Sequence, residues 1–143
     1  MKTIRESEIQ VMLADYLVVR YPKVIFHSDF GSGVKLSFYQ ANLQKRQNGG
    51  RRAWPDMFIA KPCDGYAGLF IELKRDGTRI KKRDGSYASD HIAEQAKLLS
   101  LLEDQGYLAV FAVGFDEARR VIDSYRERVA FIVLVLRLLS NVE

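Results

Sequence analysis

The residues of this chain whose types and spacing could do chemistry gather in one stretch, WPDMFIAKPCDGYAGLFIELK, residues 54–74. Asp56 follows Pro55 at the mouth of a short apolar run, and Glu72 and Lys74 sit inside a second run. Side chains alternate faces along a strand, so Leu69, Ile71 and Leu73 point one way and Phe70, Glu72 and Lys74 the other. Glu72 and Lys74 are then neighbours, roughly 7 Å apart along the strand. If the two runs pair as a hairpin through residues 61–65, Asp56 arrives near Glu72. Two carboxylates and a lysine buried together are costly unless fully paired. They also suit a hard cation: Mg²⁺ takes oxygen ligands and is often held by one or two carboxylates with substrate phosphate and water. The lysine could then orient or deprotonate an attacking water, or steady charge on the phosphorus. The structural alternative is an ion-paired strand that binds no metal.

The elements that must position these groups can be read from the rest of the chain. Ile9, Leu13, Tyr16 and Leu17 fall on one face of a helix over 4–20, which Tyr21-Pro22 ends. Residues 24–30 alternate as a strand, broken by Gly31-Ser32-Gly33. Residues 34–53 suggest a partly helical segment and then a basic loop around Asn48-Gly49-Gly50-Arg51-Arg52. Strands follow at 57–60 and 67–74, joined by the turn chemistry of Lys61-Pro62-Cys63-Asp64-Gly65. Residues 75–89 form a long exposed loop or hairpin. Asp90 is placed to cap a helix that runs to about Gln105 and stops at Gly106. A strand over 108–113 and a helix opened by Asp116, to about Arg126, come next. Residues 128–139 are so apolar that a buried strand, a buried helix and a subunit contact all fit. The order is that of an α/β protein, a mixed central sheet flanked by helices. On the helix after the basic loop, Gln95 heads the stripe Leu98, Leu99, Leu102, and a polar residue there wants a partner. His91, one turn earlier, reads as an exposed histidine. His27, on the first strand, could face the site or contact nucleic acid, and ranks below Gln95.

The chain has 143 residues, 48% of them apolar, which suits a single domain with a real core. Its net charge is +4. The cations cluster: Lys45, Arg46, Arg51 and Arg52 in one group, and Lys74, Arg75, Arg79, Lys81, Lys82 and Arg83 in another. Solvated loops would account for them, and so would a patch for a polyanion. Cys63 is the single cysteine, so no internal disulfide or zinc spacing exists. The opening MKTIRESEIQ lacks a signal-type apolar region, and the run 129–136 is too short to span a bilayer. A reduced, intracellular, cytoplasmic setting is expected.

Pro55-Asp56 with Glu72-Leu73-Lys74 resembles the PD-(D/E)xK nuclease signature. The surroundings narrow it. Gly49-Gly50-Arg51-Arg52 before Trp54-Pro55-Asp56-Met57-Phe58, then Gly68 to Arg75, Gln95 and Gly106-Tyr107, resembles the VRR-NUC nucleases. The opening Arg5-Glu6-Ser7-Glu8-Ile9-Gln10 is similar to the start of their small stand-alone, often phage-borne members. The likeness covers roughly residues 5–125 and leaves 126–143 as an apolar C-terminal extension. Trp54 replaces the small or β-branched residue usual before the Pro-Asp, and the 75–89 loop is longer and more basic than the pattern.

The resemblance implies a restriction-endonuclease-like core of αβββαβ-type order. It implies Mg²⁺ (or Mn²⁺) held by Asp56 and Glu72, with the Leu73 carbonyl as a further ligand and Lys74 serving the nucleophilic water. Gln95 would lie next to the metal and join the catalytic group. An acid on the first helix completes such sites, and Glu6 and Glu8 compete for it. Glu6 is preferred because it shares the Ile9, Leu13 and Leu17 face. Lys45, Arg46, Arg51, Arg52, Arg75, Arg79, Lys81, Lys82 and Arg83 would contact phosphates, which position DNA without reading sequence. No recognition helix for base edges is evident, which argues for a structure-selective nuclease over a sequence-specific one, and the small stand-alone relatives imply branched DNA such as Holliday junctions as the substrate. Relatives of this size imply a homodimer and products with a 5′-phosphate and a 3′-hydroxyl. The rival reading is a nucleic-acid-binding module without catalysis, which has no need of Asp56 or Glu72.

Overall fold

A computed structural model describes residues 3–29, 35–51 and 54–140, and for 128–140 the backbone alone. Arg52 therefore lies outside the described residues. The elements are α1 (Glu6–Arg20), β1 (Phe26–Ser28), α2 (Phe38–Gln47), β2 (Met57–Ile59), β3 (Leu69–Lys74), α3 (Asp90–Asp104), β4 (Leu108–Val113) and α4 (Gly114–Ser140). The strands form one mixed sheet in the order β1-β2-β3-β4. β1 and β2 pair antiparallel, as do β2 and β3, with Met57 opposite Ile71. β3 and β4 pair parallel, with Glu72 opposite Phe111. A parallel pair needs a crossover, and α3 supplies it.

The alternation along β3 divides the protein into two layers. Leu69, Ile71 and Leu73 are fully buried against Ile9, Leu13 and Leu17 of α1 and Ala118, Ile122 and Tyr125 of α4. Phe70 faces the other way, onto Leu98, Leu99 and Leu102 of α3. Both faces of β3 are covered, so every residue of this strand is buried, including Glu72 and Lys74. Helices α1 and α4 are also tied by Asp123, whose Oδ1 accepts from the Tyr16 hydroxyl at 2.6 Å and the Tyr21 hydroxyl at 2.8 Å.

Three local expectations are corrected. Ser89, not Asp90, caps α3: its Oγ accepts from the Ile92 amide at 3.2 Å, and Asp90 becomes the first helical residue. Both residue types cap well, and the chain uses the earlier one. Helix α4 begins at Gly114 and not at Asp116, and it does not stop near Arg126. No Gly or Pro stands between 115 and 140, so nothing in the chain interrupts it. The first strand is shorter than expected, Phe26–Ser28, and Phe30 lies outside the described residues. No described helix is long and apolar enough to cross a membrane.

Gly68 shows how tightly β2 and β3 meet. A Cβ there would stand 2.8 Å from the Ile59 carbonyl oxygen and 2.8 Å from a ring carbon of Phe58. The backbone contact cannot be relieved by a rotamer change. Gly68→Ala is expected to cost about 1–3 kcal/mol by overpacking, measured as a lowered midpoint in urea; an unchanged midpoint would contradict the packing described here.

Candidate active site

The antiparallel register carries Asp56 to the end of β2, next to Glu72 in the middle of β3. Asp56 is 5% exposed, Glu72 3% and Lys74 6%. The Asp56 carboxylate is fixed by the main chain: its Oδ2 accepts from the Leu73 amide at 2.8 Å. Lys74 Nζ donates to Glu72 Oε1 at 2.8 Å. Gln95, buried on α3, donates its amide N–H to the same oxygen. One carboxylate oxygen thus receives a cation from its own strand and an amide from the crossover helix.

Glu6 and Glu8 part company in the structure. The Arg5 amide donates to Glu8 Oε2 at 2.8 Å, so Glu8 closes the first turn of α1 as a capping residue. Its other oxygen pairs with the Arg5 guanidinium at 3.4 Å. Glu6 instead turns toward the end of β3, where its Oε1 accepts from the Arg75 amide at 3.4 Å. Although α1 packs on the face opposite Glu72, its first turn reaches the strand end and brings this third acid to the rim of the site.

The electrostatics follow from the crowding. Burial, and then the negative charge of Asp56, push the Glu72 carboxyl up to about 8. Lys74 works against this, and Glu6 adds to it. Asp56 and Glu72 are buried side by side with Lys74 bound to Glu72, and Glu6 adds its charge from the rim. That surplus of negative charge is what a divalent cation would relieve.

The donor set fits a hard cation. Gln95 Oε1 is a buried acceptor with no hydrogen-bond partner, and buried acceptors are rarely left so. It stands beside Glu72, and oxygen is the ligand type that Mg²⁺ and Mn²⁺ take. Among the described residues, no three His, Cys, Asp or Glu side chains already form a ligand cluster. The acids are held instead by the Leu73 amide, Lys74 and Gln95, and Glu6 stays at the rim.

One positioning residue was missed from sequence. Gln10 is buried on α1 and donates from Nε2 to the Asp29 carbonyl at 2.9 Å and the Asp56 carbonyl at 3.2 Å. The Asp29 amide also donates to the Asp56 carbonyl at 2.8 Å. Gln10 therefore fixes the main chain that carries the Asp56 carboxylate. The signal existed: Gln10 precedes Leu13 and Leu17 by three and seven residues, a polar residue on a buried stripe. Gln10→Leu is expected to cost about 1–3 kcal/mol, since the Asp29 and Asp56 carbonyls lose a donor. Thermal melting of the two proteins measures it, and equal stabilities would contradict the role.

The remaining residues scatter. His91 and His27 are exposed. Arg46 and Arg51 are exposed and Lys45 is half-buried, around a concavity lined by Asn42, Lys45, Arg46, Gly49 and Gly50. Arg75, Arg79, Lys81, Lys82 and Arg83 are exposed along the loop between β3 and α3. That loop closes a small hairpin by a Lys81–Tyr87 bridge.

Comparison with known proteins bears on the fold. No family model matches the sequence, and no curated protein matches it either. A solved structure described as a "VRR_NUC domain protein" matches 90% of this chain and 93% of its own, at 24% sequence identity and a TM-score of 0.63. The mixed four-stranded sheet and its crossover helix thus belong to a fold shared along nearly the whole chain, and that fold is the one found in a VRR_NUC domain protein.

Proposed function

We propose that the chain is a divalent-metal-dependent DNA endonuclease of the VRR-NUC kind, hydrolysing phosphodiester bonds. The observation that carries this reading is the shared oxygen of Glu72. Lys74 and Gln95 both bind it, while Asp56 stands just ahead of β2, its carboxylate held by the Leu73 amide. Asp56 and Glu72 are the residues to hold Mg²⁺ or Mn²⁺, with the Leu73 carbonyl and Glu6 as further oxygen donors. When bound, the cation would neutralise phosphate charge and lower the pKa of water.

The chain's own groups have separate tasks. Lys74 has three N–H bonds and spends one on Glu72. The others can orient the attacking water or steady charge on the phosphorus; in the general-base role it is the nitrogen lone pair, not an N–H bond, that would accept the proton of the water. Gln95 keeps Glu72 facing the site, and Gln10 keeps the Asp56 backbone in register. The half-buried Lys45, the exposed Arg46 and Arg51, and the exposed cations from Arg75 to Arg83 fit phosphates in a sequence-independent way. That supports selection by DNA shape, with branched DNA or a Holliday junction as the substrate. A homodimer would bring two such sites to two strands. We place its action inside the cell, in the cytoplasm or, for a phage-encoded protein, in the host.

Asp56→Asn separates this reading from a binding module. The endonuclease reading expects labelled DNA to bind the variant as well as it binds wild type, with metal-dependent cleavage gone. Retained cleavage would overturn the assignment of Asp56. A wild type that binds DNA yet never cuts it with any divalent metal would favour the non-catalytic module.

A further inference from the structure

Helix α2 differs from the other helices in burying none of its residues. Phe38 is 86% exposed and Tyr39 74%. The helix is held by local means: the Ser37 hydroxyl accepts from the Gln40 amide at 3.2 Å, and the Gln40 side chain accepts from the Ser37 amide at 2.9 Å. At its other end the Gly50 amide donates to the Lys45 carbonyl at 2.8 Å. Phe38, Asn42 and Arg46 follow each other at four-residue steps, and so do Tyr39 and Leu43, so aromatics and a cation share adjoining rows.

Two observations say what covers this face. The first is charge. From 30 to 55 the sequence holds no Asp or Glu but carries Lys35, Lys45, Arg46, Arg51 and Arg52. Against a second copy of the same face, a two-fold axis would set cation against cation. Against a polyanion, every charge is favourable. The second is location. The chain leaves the sheet after Ser28 and returns at Met57, and these two residues are paired. Gln10 holds both sides of that neck, through the Asp29 and Asp56 carbonyls. The α2 excursion therefore starts and ends at the candidate catalytic carboxylate.

We propose that α2 is a stacking platform for unpaired bases, in which Phe38 and Tyr39 take base faces while Lys45, Arg46 and Arg51 hold the neighbouring phosphates. Bases in an intact duplex hide their faces, whereas a single-stranded arm or an opened junction offers them. The proposal rests on the reading that nucleic acid is the partner of this chain. It adds a second, non-catalytic contact that favours DNA with unpaired nucleotides.

The test compares the full-length wild type, Phe38→Ala/Tyr39→Ala and the aromatic-conserving Phe38→Tyr/Tyr39→Phe. Fluorescence anisotropy with EDTA present measures binding to a short labelled oligothymidine and to a duplex of equal length. Sedimentation measures the oligomeric state. The alanine pair is expected to weaken single-strand binding by about tenfold or more, to leave duplex binding and the salt slope unchanged, and to keep the sedimentation coefficient. The conserving pair is expected to bind as wild type does. Unchanged single-strand binding by the alanine pair, or an equal loss on duplex, would overturn the platform. So would a shift from dimer to monomer, which would make α2 a subunit contact. Aromatic-dependent binding by a wild type that cuts nothing would leave the platform standing and remove the nuclease. A wild type that binds neither probe would remove the platform.

Discussion

Lys74→Met is expected to lower the metal-dependent cleavage rate about 10²- to 10⁴-fold, the range for losing a positioned acid–base group. The dissociation constant for DNA is expected to stay near that of wild type, because the change removes an interaction that counts in the transition state. Methionine keeps the unbranched apolar stem of this 6%-exposed side chain, so packing is largely preserved. What disappears is the ammonium that binds Glu72 Oε1 at 2.8 Å. The variant also removes the group that holds the Glu72 carboxyl down, so its proton is held more firmly still. Cleavage should then recover in part at higher pH, where Glu72 ionises. Single-turnover rates across pH measure both effects. A variant that cuts at the wild-type rate would remove Lys74 from the reaction.

The second large effect is on stability without metal. Glu72 is raised from 4.5 to about 8 in the folded protein, first by burial and then by Asp56. In the unfolded chain it loses its proton near the ordinary value. Between those two values the folded state holds a proton that the unfolded state has lost. Stability contributed at Glu72 therefore falls as pH rises through that window, opposite to the usual salt-bridged acid. Glu72→Gln cannot titrate and is isosteric. The wild type is expected to lose stability relative to Glu72→Gln from about pH 5 to about pH 8, by an amount on the order of a few kcal/mol. Mg²⁺ or Mn²⁺ is expected to restore the wild type at pH 8 and to do little at pH 5, where the proton occupies the carboxylate. Denaturation midpoints for the two proteins at a series of pH values test this. Parallel pH curves would contradict the charge crowding described at the site.

Much of the site was legible because β3 obeys a two-residue period. Leu69, Ile71 and Leu73 announce the core face, and their alternation forces Glu72 and Lys74 to the other side, where α3 presents Gln95. Gln95 itself stood out as the polar head of an apolar stripe. The choice between Glu6 and Glu8 needed the structure, since both lie in the first turn of α1 and the helix dipole favours either. The capping contact of Glu8 with Arg5 separates them, and it depends on where the helix starts. Gln10 carried the same kind of signal, a polar residue on the Leu13 and Leu17 stripe, but the two carbonyls it bridges come from distant segments that no local pattern encodes. The unbroken course of α4 was illegible because an apolar run such as 129–136 suits strand and helix alike. The lack of burial along α2 was illegible because a helix's tertiary partners leave no mark on its own propensity.

The central claim is that Asp56, Glu72 and Lys74 form a metal-dependent centre for phosphodiester hydrolysis. The most direct measurement incubates the protein with end-labelled four-way junction, plain duplex and single strand, with Mg²⁺, with Mn²⁺ and with EDTA. Products with a 5′-phosphate are expected only where metal is present, most abundantly from the junction. No metal-dependent product from any of the three substrates would contradict the account.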